Sequence, residues 1–244
     1  MADLYAPLLN TANGKRRIVA HLGQSIDGYI ATASGDSDYV NDRENILHLH
    51  RLRALHDAVI VGAGTIEADD PQLTTRHVPG PNPVRVVLDP KRRLSPSAQV
   101  FTDGAAETIV VAAEAAGGSA RHGRAEVIFA PARDGHFDLA RVVAMLAERN
   151  LHALFVEGGG TTVSRFFDAG LIDRLQVAIA PVMTGRGKPG LRLRAQDRLN
   201  DCPRPAHRIF RMGADILFDC DLRADTAATT TGRDGGEPSL GRIS

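Results

Sequence analysis

Cysteine is scarce: Cys202 and Cys220 are the whole supply. Two thiols exclude a disulfide-rich scaffold and any four-cysteine zinc site. No apolar run approaches the ~20 residues that span a bilayer, so no membrane association is expected. Neither sign of charge is in excess: 29 Lys and Arg balance 29 Asp and Glu. That balance argues against a general nucleic-acid binder, which needs surplus cations to displace counterions from phosphates. Met1 to Asn13 shows no charged segment leading into a long apolar core, so no signal peptide is read and a cytoplasmic protein is expected. Neither HExxH nor GxSxG occurs, which removes the usual zinc-protease and hydrolase signatures.

What is present is 244 residues, 43% of them apolar. That is enough for a full core without metal or disulfide staples. From Ala224 onward large apolar side chains almost vanish, and the tail 223–244 is expected to be disordered. Residues 1–15 are read as a loose arm, leaving 16–222 as one globular domain. Short β-branched runs give strands at Ile18–Leu22, Ala58–Val61, Val84–Leu88, Thr108–Ala112, Glu126–Phe129, Ala153–Val156, Gln176–Ala180 and Ile216–Cys220. Leu139, Val142, Val143 and Leu146 have helical spacing. Further helices are expected from Asp42 to about His56 and from Gly160 to a terminating Gly170. Continuous apolar strands alternating with helices predict a three-layer α/β/α fold around a mostly parallel mixed sheet. The stretch Arg208–Leu222 reads as two antiparallel strands about Met212-Gly-Ala214.

Four segments could carry chemistry. Val61-Gly-Ala-Gly-Thr65 follows a strand, but Glu67 replaces the third glycine of a dinucleotide fingerprint and Pro71 follows too soon for a crossover helix. It is read as a strand and a glycine-rich turn. In Val156-Glu-Gly-Gly-Gly-Thr-Thr162 three glycines lead into a helix N-terminus, where free N–H groups suit a diphosphate. Arg53 falls within about 120° of Ile46, Leu49 and Leu52 on a helix, so its guanidinium must snorkel or meet an anion. Arg76 and Ser37 are other potential anion contacts, and the three together could hold a phosphomonoester. Lys91-Arg-Arg93, just past a strand end, reads either as a 2′-phosphate site favouring NADPH or as a solvated turn. His48 and His50 would point ~200° apart on a helix and cannot share a metal, so none is expected.

Taken in order, Gly23-Gln-Ser-Ile-Asp-Gly-Tyr-Ile-Ala31, Ser34-Gly-Asp-Ser-Asp-Tyr39, Leu52-Arg-Ala54, Val61 to Arg76, Pro83-Val-Arg-Val-Val-Leu-Asp89, Glu157-Gly-Gly-Gly-Thr161 and Ala180-Pro181 form a family pattern. The chain resembles the reductase domain of the bacterial bifunctional riboflavin-biosynthesis deaminase/reductase and its stand-alone archaeal and fungal relatives. The resemblance covers about Arg16 to Leu222. It implies a dihydrofolate-reductase-like fold, NADPH as hydride donor, a homodimer, and as substrate a ribosylamino-pyrimidine 5′-phosphate of the 5-amino-6-(5-phosphoribosylamino)uracil type. By position it implies cofactor contacts at Gly23, Tyr39, Thr65, Asp69 and from Gly158, Gly159 and Gly160 to Thr161 and Thr162. It implies substrate contacts at Ser37, Arg53, Leu73, Arg76 and Glu157.

Two departures stand out. The deaminase signature, H-x-E with P-C-x-x-C, is absent. Many members carry lysine where this chain has His21, an imidazole that titrates near neutrality and can donate a proton. The expected chemistry is hydride transfer to C1′ of the opened ribose, with Glu157 and His21 handling protons and Asp27 ordering the first loop. The alternatives are an NADPH-dependent reductase of a pterin, dihydrofolate or other small imine, and a non-catalytic nucleotide-binding relative.

Overall fold

The computed structural model describes residues 2–9, 15–37 and 40–223. Helix α1 (Ala2–Leu9) precedes β1 (Arg17–Ser25), β2 (Tyr29–Thr32), α2 (Arg43–Ala54), β3 (Ala58–Gly62), α3 (Ala63–Asp69), β4 (Val84–Leu88), α4 (Gln99–Thr102) and β5 (Thr108–Ala113). The remainder is β6 (Arg121–His122), β7 (Ala125–Ala130), β8 (Ala132–Arg133), β9 (His136–Phe137), α5 (Leu139–Ala147), β10 (Ala153–Glu157), α6 (Gly160–Asp168), β11 (Arg174–Ala180), β12 (Gly187–Pro189), β13 (Ala206–Met212) and β14 (Asp215–Asp221).

Ten strands form one sheet in the order β13-β14-β11-β1-β10-β3-β4-β5-β7-β6. From β11 to β7 every pairing is parallel; β14, β13 and β6 add antiparallel edges. The expected mostly parallel α/β sheet is therefore the observed one. Alternate residues of each central strand serve opposite faces. Ile18, Ala20, Leu154, Val156, Ala58 and Ile60 pack beneath Val142, Val143 and Leu146 of α5 and Val163 and Phe166 of α6. Val19, Phe155, Val59 and Val61 face Leu52 of α2, Ile66 of α3 and Phe101 of α4. A fully buried Leu146 or Phe166 contributes about 1.5–3 kcal/mol relative to exposure.

The helix ends follow their sequence signals. Asp42 caps α2 by accepting from the Arg43 amide at 2.6 Å, and Asp138 caps α5 through the Ala140 and Arg141 amides. Gly170 follows α6 in the left-handed conformation (φ 63°) and its amide reaches Phe167 O, as expected of a C′ glycine.

Two sequence expectations change. The segment after β3 is not a plain turn: it is the two-turn helix α3, ended by Asp70 at φ 38° before Pro71. The first residues are not loose, because α1 buries Leu4 and Leu8 against Ala178, Leu217, Met212 and the second core face. Short β2, β12 and the β8–β9 hairpin lack enough residues to show a pattern in sequence. The tail from Ala224 lies outside the described residues, as does Tyr39.

Candidate active site

A row of three polar side chains interrupts the apolar sheet face beneath α2. Gln176, His21 and Glu157 are register partners across β11, β1 and β10. Each meets one residue of α2. His48 Nε2 lies 2.8 Å from Gln176 Oε1, His21 Nε2 lies 2.9 Å from Asn45 Oδ1, and Arg53 clasps Glu157. Asn45, His48 and Arg53 fall on one side of the helix at its 3.6-residue repeat, so one helix face carries the row. Gln176 spends its amide on Asp219 at 3.1 Å, so His48 donates from Nε2 and its Nδ1 accepts from the Tyr5 hydroxyl at 2.8 Å. Neighbouring Asp219 is itself held by Arg174 and Arg208.

Burial sets the charge on the histidines. His21 is 3% exposed, and desolvation lowers its pKa to about 4 even though Asn45 opposes the shift. His48 is lowered to about 3 by burial and by neighbouring His21. Both imidazoles are neutral at neutral pH, and His21 commits its Nε2 proton to Asn45. The expectation that His21 titrates near neutrality is therefore corrected: it enters the site as a fixed neutral group.

Arg53 and Glu157 form a two-pronged ion pair. Arg53 Nε donates to Oε2 at 2.8 Å, its Nη2 donates to Oε1, and its Nη1 donates to the Thr74 carbonyl at 3.0 Å. Burial disfavours the guanidinium charge, but the attraction and hydrogen bonds of Glu157 outweigh it and raise the Arg53 pKa. Arg53 thus meets an anion, as its place on the apolar face requires, and that anion is Glu157. Arg76 sits within electrostatic reach of both groups. Burial, followed by repulsion from Arg53, lowers its pKa. Its amide donates to His50 Nδ1 at 2.9 Å and its guanidinium to Thr74 Oγ1 at 2.9 Å.

The strand ends open into a cleft of about 1020 Å³. Single-ligand sites run from roughly 300 to 1,000 Å³, so the space admits two molecules. Its floor is the glycine-rich turn into α6. Gly158 takes φ 143°, a conformation that side chains disfavour, and a Cβ there would crowd Thr65 Oγ1 at 3.1 Å. Thr65 Oγ1 also accepts from the Gly159 amide at 3.3 Å, tying the β3–α3 turn to the β10–α6 turn. A Cβ on Gly160 would collide with the Gly190 carbonyl of the segment beyond β12. Lys91, Arg93, Arg165, Lys188 and Arg192 stand on the walls against Asp69, Asp89 and Glu157.

The structure gathers His21, Gly23, Ser37, Thr65, Asp69, Glu157, Gly158, Gly159, Gly160, Thr161 and Thr162 around this cleft. Of the other described candidates, Asp27, Leu73 and Arg76 do not line it, and Arg53 reaches it only through Glu157. The Leu73 side chain is 1% exposed in the core, in a backbone with φ 53°, so it presents no side-chain contact. Asp27 is away from the cleft. It accepts from the amides of Thr184 and Gly185 and from Ser25 Oγ, which lowers its pKa to about 2 and makes it a loop clamp rather than a proton donor. Its expected loop-ordering role has that basis. Ser37 lies on the cleft, whereas the described contacts of Arg53 and Arg76 join neither arginine to it. Sequence reasoning missed Asn45, His48 and Gln176. Their signal was a lone polar residue inside each of two apolar strands, opposite polar positions on α2.

The cleft suits an anionic dinucleotide on its own chemistry. Among the described residues five cationic side chains face three carboxylates, Gly64 has open space where a Cβ would stand, and the α6 N-terminus adds free amide donors.

Comparison with known proteins agrees with this geometry. Residues 16–200 match the family described as the RibD C-terminal domain. The chain is 35% identical over 217 residues to the 2,5-diamino-6-ribosylamino-4(3H)-pyrimidinone 5′-phosphate reductase of Methanothermobacter thermautotrophicus, covering 84% of this chain and 98% of that one. It is 36% identical over 168 residues to the riboflavin biosynthesis protein RibD of Bacillus amyloliquefaciens, covering 66% of this chain but only 44% of that protein. The crystal structure of a Thermotoga maritima diaminohydroxyphosphoribosylaminopyrimidine deaminase/5-amino-6-(5-phosphoribosylamino)uracil reductase superposes with a TM-score of 0.72 at 26% identity, over 90% of this chain and 59% of that one. The chain belongs to the RibD C-terminal domain family.

Proposed function

We propose that this member of the RibD C-terminal domain family is an NADPH-dependent reductase of a ribosylamino-pyrimidine 5′-phosphate. The observation that carries the reading is the placement of Glu157 one residue before the glycine turn into α6, within one cleft. A charged, substrate-facing group and an anion cradle are thereby joined by a single strand end. The relative matched almost end to end is named for the 2,5-diamino pyrimidinone substrate, which makes that the first candidate. The uracil form is the second. Oxidoreductase chemistry in riboflavin biosynthesis follows from the family; NADPH, a homodimer and a cytoplasmic location are supported by the resemblance. Among the described residues no helix is long and apolar enough to cross a membrane.

When bound, the cofactor supplies a hydride from C4 of its nicotinamide. The chain supplies placement and charge. Gly158–Thr162 and Thr65 would hold the diphosphate, with Gly23 and Asp69 on the flanks. Ser37 and Arg76 would take the substrate side, and a phosphate there would relieve the repulsion between Arg76 and Arg53. The closed ribosylamine opens to an imine as the ring oxygen becomes the 4′-hydroxyl. Hydride adds to C1′, and a proton completes the amine. Glu157, fixed by Arg53, faces the positive charge that develops along the C1′–N bond. His21 stays neutral and packs the floor of the same space.

Loss of absorbance at 340 nm with purified protein, NADPH and each pyrimidine tests the reading. Turnover of either pyrimidine and none of dihydrofolate is expected. Turnover of dihydrofolate alone would establish the pterin alternative. A flat trace with every substrate, while NADPH still raises Tm, would indicate a binding relative.

A further inference from the structure

Between α3 and β4 the chain runs from Asp70 to Pro83 without helix or strand. Its middle is bonded to α2. The Thr74 carbonyl accepts from Arg53 Nη1 at 3.0 Å, and the Arg76 amide donates to His50 Nδ1 at 2.9 Å. Other groups of the same segment are bonded the opposite way, to the turn between α4 and β5. The Gln72 carbonyl accepts from Arg85 Nη1 at 3.2 Å. The Thr75 amide donates to Asn82 Oδ1 at 2.8 Å, and Asn82 Nδ2 donates onward to the Ala105 carbonyl at 2.9 Å.

Arg85 is 1% exposed near the start of β4, whereas the cleft opens at the other end of that strand, at Leu88 and Asp89. All five of its N–H groups are spent. Two go to the Asp103 carboxylate at 2.8 Å each, one to Thr108 Oγ1 at 2.9 Å, one to the Ala106 carbonyl at 2.7 Å and one to Gln72. A guanidinium held out of water is costly even when paired, and an apolar side chain would fill the same space. What the guanidinium adds is directed donors that lock the Gln72 carbonyl to the Asp103–Thr108 turn.

We propose that Arg85 and Asn82 are positioning residues for the substrate: they hold the Gln72–Arg76 segment against the α4–β5 turn and so fix where Arg76 and the Thr74 carbonyl stand. The inference rests on the reading given above, in which Arg76 takes the substrate side. The segment has no regular ladder, so these ties and the buried Leu73 between them decide its position. Neither Arg85 nor Asn82 lines the cleft, so both act through other groups. A slack of about 1 Å at Arg76 is enough to misplace a bound phosphate ester and weaken its charge-assisted bonds. Among the described residues no bond joins Thr65 or the glycine turn to residues 72–82, so cofactor affinity reports on a separate part of the site.

The test uses the whole chain, with the diaminopyrimidinone ribosyl phosphate as substrate. Asn82 is exposed, so Asn82→Ala removes both of its ties with little effect on Tm. It should raise substrate KM about tenfold and leave kcat and the NADPH dissociation constant unchanged. Arg85→Lys keeps the charge and loses the fork; it should raise substrate KM at least as much, with a lower Tm. An NMR titration supplies a readout besides activity. In the wild type the His50 ring is held at about 4, chiefly by burial and then by Arg53, His77 and Arg76. In Asn82→Ala it should titrate closer to 6.5, while buried His56, lowered to about 3, stays neutral to pH 4. Unchanged substrate KM and an unchanged His50 titration in Asn82→Ala overturn the inference. So does an equal weakening of NADPH binding, or a matching shift at His56, since either marks general loosening. A wild type that turns over no ribosyl phosphate removes the functional reading, whereas the His50 titration still decides whether these ties place the segment.

Discussion

His21 and Glu157 are register partners on adjacent parallel strands, and α2 grips both, the first through Asn45 and the second through Arg53. The pairing gives the cleft one neutral and one charged group side by side. It also makes the placement of α2 a condition for the site.

The Arg53–Glu157 pair should therefore couple stability to activity. Their side chains are 8% and 14% exposed, so removing one partner strands the other away from water. Arg53→Ala should cost about 3–5 kcal/mol in urea denaturation and abolish turnover. Glu157→Gln keeps the shape and removes the charge. It should lower kcat by about a hundredfold or more with NADPH affinity unchanged. Retained kcat in Glu157→Gln would show that the carboxylate only supports Arg53.

Stability should depend on pH through buried imidazoles. His21, His48, His50 and His56 are held at about 4, 3, 4 and 3, chiefly by burial. Unfolded, each titrates near 6.5. Between these values the unfolded chain binds more protons, so stability is full above pH 6.5 and falls as pH drops toward 4. Tm measured from pH 8 to 4 should decline below 6.5, and kcat should show no His21 inflection near neutrality. The His21 ring in an NMR titration should remain neutral to about pH 4; protonation near 6.5 would contradict its burial.

The glycine floor should resist a single methyl. Gly160→Ala would push against the Gly190 carbonyl and should cost about 1–3 kcal/mol and raise the KM for NADPH. Thr65→Val removes the bond to the Gly159 amide while keeping the shape, so its effect should fall on cofactor KM with Tm nearly unchanged. Isothermal titration and thermal melts separate the two.

Helix α1 should support the site from outside it. Leu8 is 3% exposed, and Leu8→Ala should cost about 2–5 kcal/mol. Tyr5→Phe removes only the hydroxyl on His48 Nδ1. It should lower kcat modestly without a matching change in cofactor affinity. An unaltered kcat would confine α1 to a packing role.

Much of this architecture was legible in the residues. The β-branched runs from Ile18 to Cys220 marked the eight principal strands because buried parallel strands carry near-continuous apolar sequence. Helix α5 was readable from Leu139, Val142, Val143 and Leu146, and the end of α6 from Gly170. Helix α1 was not, since its stability comes from long-range contacts: Leu4 packs against Ala178, Met212 and Leu217, more than 160 residues away in sequence, and Leu8 joins the core around Val19 and Phe155. The site was half legible. Glu157-Gly-Gly-Gly-Thr161 announces a strand end and a cradle by composition. That Arg53 meets Glu157 rather than water depends on register between α2 and β10, which local pattern does not encode.

The central claim is that this cleft carries hydride to C1′ of an opened ribose. It is tested most directly by turnover with NADPH deuterated at C4, on the face that transfers, and the diaminopyrimidinone ribosyl phosphate, followed by NMR of the product. The account predicts one deuterium at C1′ of the ribityl chain. Deuterium on the pyrimidine ring, or retained wholly in the oxidised cofactor from both C4-labelled epimers while product forms, would contradict it.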